Sequence, residues 1–215
     1  SQLERVDVQA RTMSFGSQMI DVDAIGNIET PGAIFQLHNR YIVSQVKSGM
    51  MIIDQQAAHE RILYENYLTT LQNNNGASQQ TLFPQAISLN PSDFALVMDL
   101  KKEISALGFI IESFGKNDLL IKGIPLEIGV GNEKEVFEGL LEQFKKNVEL
   151  SLPRTENLAR SLAKRTSLKV GTYLDKEEMV RLIDQLFACK NANLAPNGRR
   201  TFHILELSNI DNYFS

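Results

Sequence analysis

From residue 33 the apolar residues come in three short runs: 33–37, 41–46 and 50–53. His38-Asn39-Arg40 and Lys47-Ser48-Gly49 separate them. Such spacing predicts strands joined as hairpins, with antiparallel neighbours. At Asp54 the period changes. Ala57, Ala58, Ile62, Tyr64, Leu68 and Leu71 form an apolar stripe at helical spacing, and Asp54 stands where an N-cap belongs. Asn73-Asn74-Asn75-Gly76 ends that helix.

A second set of elements follows, in the order β-α-β-β-α. Residues 82–89 read as a strand interrupted by Pro84. Ser92 is placed to cap a helix with Phe94, Val97, Leu100, Ile104 and Leu107 inward, stopped by Gly108 at the C′ position. Residues 109–114 and 119–124 are strands around the turn 115–118, and 133–144 is a helix burying Val136, Phe137, Leu140, Leu141 and Phe144. Beyond residues 145–153 the spacing predicts a helix over 155–169. Another is opened by the capping-box spacing of Asp175 and Glu178 and buries Met179, Leu182, Ile183, Leu186 and Phe187. Residues 191–198 read as a loop and 201–207 as a strand, with Ile210, Tyr213 and Phe214 near the end. The polar residues 1–30 read as a linker or tail, and Pro31-Gly32 marks entry to the folded part.

Composition narrows the class. Of 215 residues, 43% are hydrophobic and 22% charged, the balance of a globular chain rather than a disordered one. No apolar run reaches the ~18–20 residues of a membrane span, so no membrane partner is expected. The single Cys189 excludes an intramolecular disulfide and a Cys-only zinc site, and is read as a buried small apolar residue. A cytoplasmic location is expected. The net charge of −4, from 22 Lys+Arg against 26 Asp+Glu, is not that of an autonomous DNA-binding domain. The start at Ser1 reads as a fragment of something longer.

The stretch Asp54-Gln55-Gln56-Ala57-Ala58-His59-Glu60-Arg61-Ile62-Leu63-Tyr64-Glu65 resembles the DQHA-x-x-E-x-x-x-x-E motif of the C-terminal domain of MutL-type DNA mismatch repair proteins. The flanks agree: Gln36, Asn39-Arg40-Tyr41-Ile42 and Met51-Ile52-Ile53 before it, then Pro84, Gly108-Phe109, Pro125, residues 174–186, and Asn197-Gly198-Arg199 as a remnant of a CPHGRP motif. The resemblance covers roughly residues 33–214.

It implies an α+β, two-lobed dimerisation fold: residues 31–78 and 150–215 forming a discontinuous homodimer lobe, and 79–149 a small regulatory lobe inserted between. It further implies a GHKL ATPase domain, binding ATP and Mg²⁺, elsewhere in the intact protein, and mismatch-recognition protein MutS and DNA as partners through that protein.

Many relatives nick DNA with metal ions bound at this motif, a task for hard oxygen ligands and imidazoles on Mn²⁺ or Zn²⁺. Here the family's motif histidine is Gln56, its "ACK" cysteine aligns with Lys164, and the Cys and His of CPHGRP align with Ala195 and Asn197. Asp54 and Glu60 remain, with His59 about 100° round the helix from Glu60 and Glu65 about 140°. The expectation is therefore no catalytic and no metal site in this chain. Asp54 is expected to cap and Glu60 to lie on a solvated face. The alternative is a divergent nicking endonuclease using Asp54, Glu60 and His59 with Mn or Zn.

Gln79-Gln80-Thr81-Leu82-Phe83 resembles the Q-x-[ST]-L-F peptide by which bacterial proteins bind the replication sliding clamp. Gln79, Thr81, Leu82 and Phe83 are the expected clamp contacts: a Gln amide as anchor, with Leu and Phe for an apolar pocket. The rival reading buries Leu82 and Phe83 in a core strand. Arg160, Lys164, Arg165 and Lys169 recur at helical spacing, with Arg154 before them and Arg199-Arg200 later. They are the expected DNA-phosphate contacts, set against a plain solvated helix face. Residues 33–53 and 201–214 are apolar enough to supply a dimer interface.

Overall fold

A computed structural model describes residues 33–129 and 131–215. The expected tail 1–30 and the Pro31-Gly32 entry lie outside the described residues. Within them the chain forms two sheets and seven α-helices.

The first sheet is antiparallel throughout, in the order β1 (Ile34–Leu37), β2 (Tyr41–Val46), β3 (Gly49–Asp54), β7 (Phe202–Glu206). His38 and Asn39 both take positive φ in the tight β1–β2 turn, a conformation polar residues such as Asn tolerate. Helix α1 (Gln55–Asn73) starts directly at the end of β3, with Asp54 as its cap. The other helix on this sheet is α6 (Lys176–Ala188), opened by the expected capping box of Asp175 and Glu178. Ile42, Met51, Ile53, Ala58, Ile62, Leu182, Leu186 and Phe202 form the core beneath. A cluster of side-chain amides closes one corner. Gln55, fully buried, donates to the carbonyls of Asn39 and Thr172 at 2.9 Å each, and accepts from Gln36 at 2.7 Å. These bonds tie the segment before α6 to the β1–β2 turn.

The second sheet has the order β4 (Ser78–Ser88), β6 (Asp118–Pro125), β5 (Ile110–Phe114), again antiparallel. Helices α2 (Pro91–Asp99), α3 (Lys101–Ala106) and α4 (Glu133–Lys146) complete that layer. Its core is continuous with Leu63, Tyr67 and Leu71 of α1 and with Leu158, Ala159, Leu162 and Ala163 of α5 (Arg154–Thr166). Phe109 meets Phe137 edge-on at 5.5 Å. Helix α1 thus lies in both cores, its first half under one sheet and its second half in the other. The short α7 (Leu207–Asp211) ends the chain beside β7, and Tyr213 and Phe214 are exposed. No helix of the described residues is long and apolar enough to cross a membrane.

The structure corrects several local expectations. Asn90, not Ser92, caps α2: its side chain accepts from the Asp93 N–H at 2.9 Å and Pro91 follows at N1. The expected single helix is split at Leu100, whose φ/ψ of −95°/5° leaves the helical region. Helix α5 stops at Thr166, because Ser167 turns extended, so Lys169 is off the helix that periodicity assigned it to. Strand β4 begins at Ser78, earlier than expected, and takes in the whole of 79–83. Cys189 is half-buried rather than buried and sits at the C-cap of α6. Burial, then the neighbouring Glu65 carboxylate, push its thiol pKa up to about 11.

Candidate functional site

Asp54 and Glu60 approach the same loop. Asp54 ends β3, and its N–H donates to the Thr201 carbonyl at 2.8 Å. Its Oδ1 accepts from the Ala57 N–H at 2.9 Å, the helix-capping bond. Its Oδ2 is paired with the Arg199 guanidinium. Glu60 is about one and two-thirds turns further along α1 and is only 1% exposed, against the expectation of a solvated face. Its Oε2 lies 3.7 Å from Lys164 Nζ on α5, and the Asn197 amide donates to it at 3.5 Å. Burial raises the Glu60 pKa, while Lys164, Arg199 and Arg160 pull it down. The positions that the resemblance aligns with metal ligands, 164 and 197, thus do surround this carboxylate, but they bring an ammonium and an amide.

His59 points elsewhere. Its Nδ1 accepts the Leu168 N–H at 3.0 Å, which fixes the chain just past α5, and burial lowers its pKa. It does not join Asp54 and Glu60. Among the described residues no group of three His, Cys, Asp or Glu side chains comes together to hold a metal ion. The donor set therefore does not fit Mn²⁺ or Zn²⁺: two carboxylates, each already facing a fixed cation, leave no imidazole or thiolate to complete a site.

The family model described as MutL C terminal dimerisation domain matches residues 34–174. The chain is 35% identical, over 99% of its length, to the DNA mismatch repair protein MutL of Flavobacterium psychrophilum. It is 41% identical over 86% of its length to the MutL of Chlorobium phaeobacteroides, and 38% over 84% to that of Prosthecochloris aestuarii. The chain belongs to the MutL C-terminal dimerisation domain family. It spans about a third of the length of these curated relatives, covering 35%, 30% and 29% of them respectively.

In this MutL domain the last glutamate of the motif has a structural task. Glu65 accepts the N–H groups of Lys190 and Asn191 at 2.8 and 3.2 Å, and Arg61 Nε donates to the Leu194 carbonyl. Together they hold the segment that carries Asn197 and Arg199. Sequence reasoning missed this pair; the only signal was two charged residues four apart inside an otherwise apolar helix stretch.

The expected basic stripe divides. Arg160 and Lys164 face Glu60. Arg165 instead lies over Gly139 of α4, where an added Cβ would come within 2.4 Å of its Nε. Lys169 donates to the Arg165 carbonyl at 3.1 Å, and its pKa is lowered by burial and by the nearby Arg165 and Lys164 charges. Arg154 pairs with Asp99 at 2.7 Å, and Arg200 is exposed.

The clamp-like peptide lies on the other sheet. Ser78, Gln79 and Gln80 pair with Pro125, Ile124 and Gly123, and pairing resumes only at Gln85 with Ile121. Residues 81–84 thus stand opposite Lys122 alone and loop out of the ladder. Leu82 is 91% exposed and Phe83 80%. The rival reading that buried them in a core strand does not hold: Pro84 has no N–H for the ladder, and the bulge turns both side chains to solvent.

A raised folded-state pKa means that the folded chain holds the Glu60 proton more tightly than the unfolded chain does. The group's contribution to stability is present below its ordinary value of 4.5 and is lost as pH rises through the folded pKa. Glu60→Gln should therefore raise Tm at pH 7, an advantage that disappears on acidification. Thermal melts across that pH range check it, and a lower Tm at neutral pH would show that the Lys164 pair outweighs the burial.

Proposed function

We propose that this domain works by binding rather than cutting: it holds two copies of a mismatch repair protein together and docks the assembly on the replication sliding clamp through residues 79–83. The observation that carries the docking reading is the pair of large apolar side chains, Leu82 and Phe83, thrown out of β4 into solvent at a break in register. Leaving them in water is unfavourable unless a partner covers them, and a Leu-Phe pair with a nearby Gln amide is the chemistry of an extended clamp-binding peptide.

Self-association follows from the family, and the outer face of the first sheet supports its location. Phe35, Leu37, Met50, Ile52 and Leu205 alternate onto the face opposite the α1 and α6 core. Phe35 is 49% and Leu37 43% exposed. Leu207, Tyr213 and Phe214, which follow β7, are exposed as well. A two-fold pairing of such faces would keep two ATPase halves of the intact protein at high effective concentration, ready to close around DNA.

The nicking alternative has less support, since the two surviving carboxylates face Arg199 and Lys164 rather than open coordination positions. Direct DNA contact rests on Lys169 and Arg200, with Arg160 and Lys164 turned to Glu60 and Arg199 to Asp54. A duplex delivered by the clamp would meet these groups through its phosphates. MutS is a partner of the intact protein in this reading.

Leu82→Ala combined with Phe83→Ala should weaken clamp binding by roughly two orders of magnitude while leaving the melting profile intact; unchanged affinity in a folded variant would end the docking reading. With Mn²⁺ and clamp present, supercoiled plasmid should be nicked no faster by this chain than by an Asp54→Asn control. Clamp-stimulated cutting that the control abolishes would move the assignment to the endonuclease. Phe35→Asp should yield a monomer in sedimentation at micromolar concentration, and a persisting dimer would place the interface on another face.

A further inference from the structure

The amide that the docking peptide would present to a partner is already engaged inside the domain. Gln79 lies in the paired first part of β4, just ahead of the register break. Its Nε2 donates to the Ile128 carbonyl and lies 3.4 Å from the Pro125 carbonyl. Pro125 ends β6 and Ile128 lies in the turn that follows it. Within that turn the Ile128 N–H donates to Pro125 at 3.0 Å, and the Leu126 N–H donates back to Ala77 of the β4 approach at 3.2 Å. The Ile128 side chain is buried in the second core. A groove of about 450 Å³ runs between residues 80–83 and residues 131–135 at the start of α4. The peptide is therefore half presented: Leu82 and Phe83 stand in solvent, while Gln79 fastens β4 to the neighbouring turn.

We propose that Gln79 and the Pro125 and Ile128 carbonyls form a latch that must open for the peptide to seat fully on the clamp. This rests on the clamp-docking reading above. The physical argument is one of competition. A Gln side chain has one amide nitrogen with two N–H donors, and both carbonyls lie against it here. A partner pocket that anchors the peptide by the same amide takes it away from the turn. Leu82 and Phe83 make the first encounter, and release of Gln79 completes it. The turn after β6, and with it the approach to α4, loosens when the clamp is bound. The measured affinity is then the intrinsic affinity reduced by the fraction of molecules with the latch open. Loosening the turn without touching the peptide raises it.

The test uses the whole chain and a bacterial sliding clamp. Amide hydrogen exchange followed by mass spectrometry, with and without saturating clamp, should show protection over 79–83 together with faster exchange at Leu126 and Ile128. Gln79→Ala should reproduce the faster exchange at Leu126 and Ile128 with no clamp present. Ile128→Ala, which removes the turn's buried anchor, should tighten clamp binding roughly threefold to tenfold; its melting curve verifies that it is folded. A bound clamp with unaltered exchange at Leu126 and Ile128 overturns the latch and leaves docking standing. Unaltered exchange in Gln79→Ala likewise overturns the latch. Failure of the unmodified chain to bind clamp at all overturns both.

Discussion

Asp54 is the last residue of β3 and the N-cap of α1, with nothing between strand and helix. A cap bond of this kind is worth about 1 kcal/mol, yet its geometric consequence is larger than its energy. With no linker the helix cannot choose its direction. It must leave the sheet at the angle the cap dictates, and the fully buried Gln55 amide, bonded to the β1–β2 turn, fixes its first turn further. From that start α1 runs 19 residues, long enough to serve two sheets in succession. Ala58 and Ile62 complete the first core, and Leu63, Tyr67 and Leu71 enter the second.

The two carboxylates of the motif are each held by a cation of the chain itself. A divalent cation beside two carboxylates neutralises their charge and cross-links the segments that carry them. Here Arg199 does this for Asp54 and Lys164 for Glu60, joining the end of β3, α1, α5 and the 190–200 segment. Fixed cations on side chains give the same kind of cross-link through ion pairs. The one costly element is the burial of Glu60, and the partly exposed Lys164 offsets that only in part.

Two surfaces have no such internal compensation. The bulge at 81–84 and the outer face of the first sheet both put large apolar side chains in water. Exposed apolar area in two separate places is the layout that the proposed binding role calls for, one surface for its own copy and one for another protein.

The elements themselves were legible in the sequence. The hairpin spacing of 33–53, the stripe that starts at Asp54, the capping box at Asp175 and the positive-φ Gly108 depend on neighbours a few residues apart, and such local preferences act wherever the segment lies. The ordered motif residues likewise placed the chain in its family. The motif resemblance had aligned positions 164 and 197 with this site; what the sequence did not contain was how such distant groups are buried and paired. That Glu60 is buried rather than solvated depends on α5 and the 190–200 segment closing over it, more than 100 positions away in the chain. That Leu82 and Phe83 leave the core depends on how β4 registers against β6, and a period-two pattern reads the same on either face. The sequence by itself determined the strands, helices and caps, because these are short-range steric and hydrogen-bonding preferences. Only the tertiary structure decided which carboxylates are paired and which apolar side chains face water, because burial and charge pairing are properties of segments brought together by the fold.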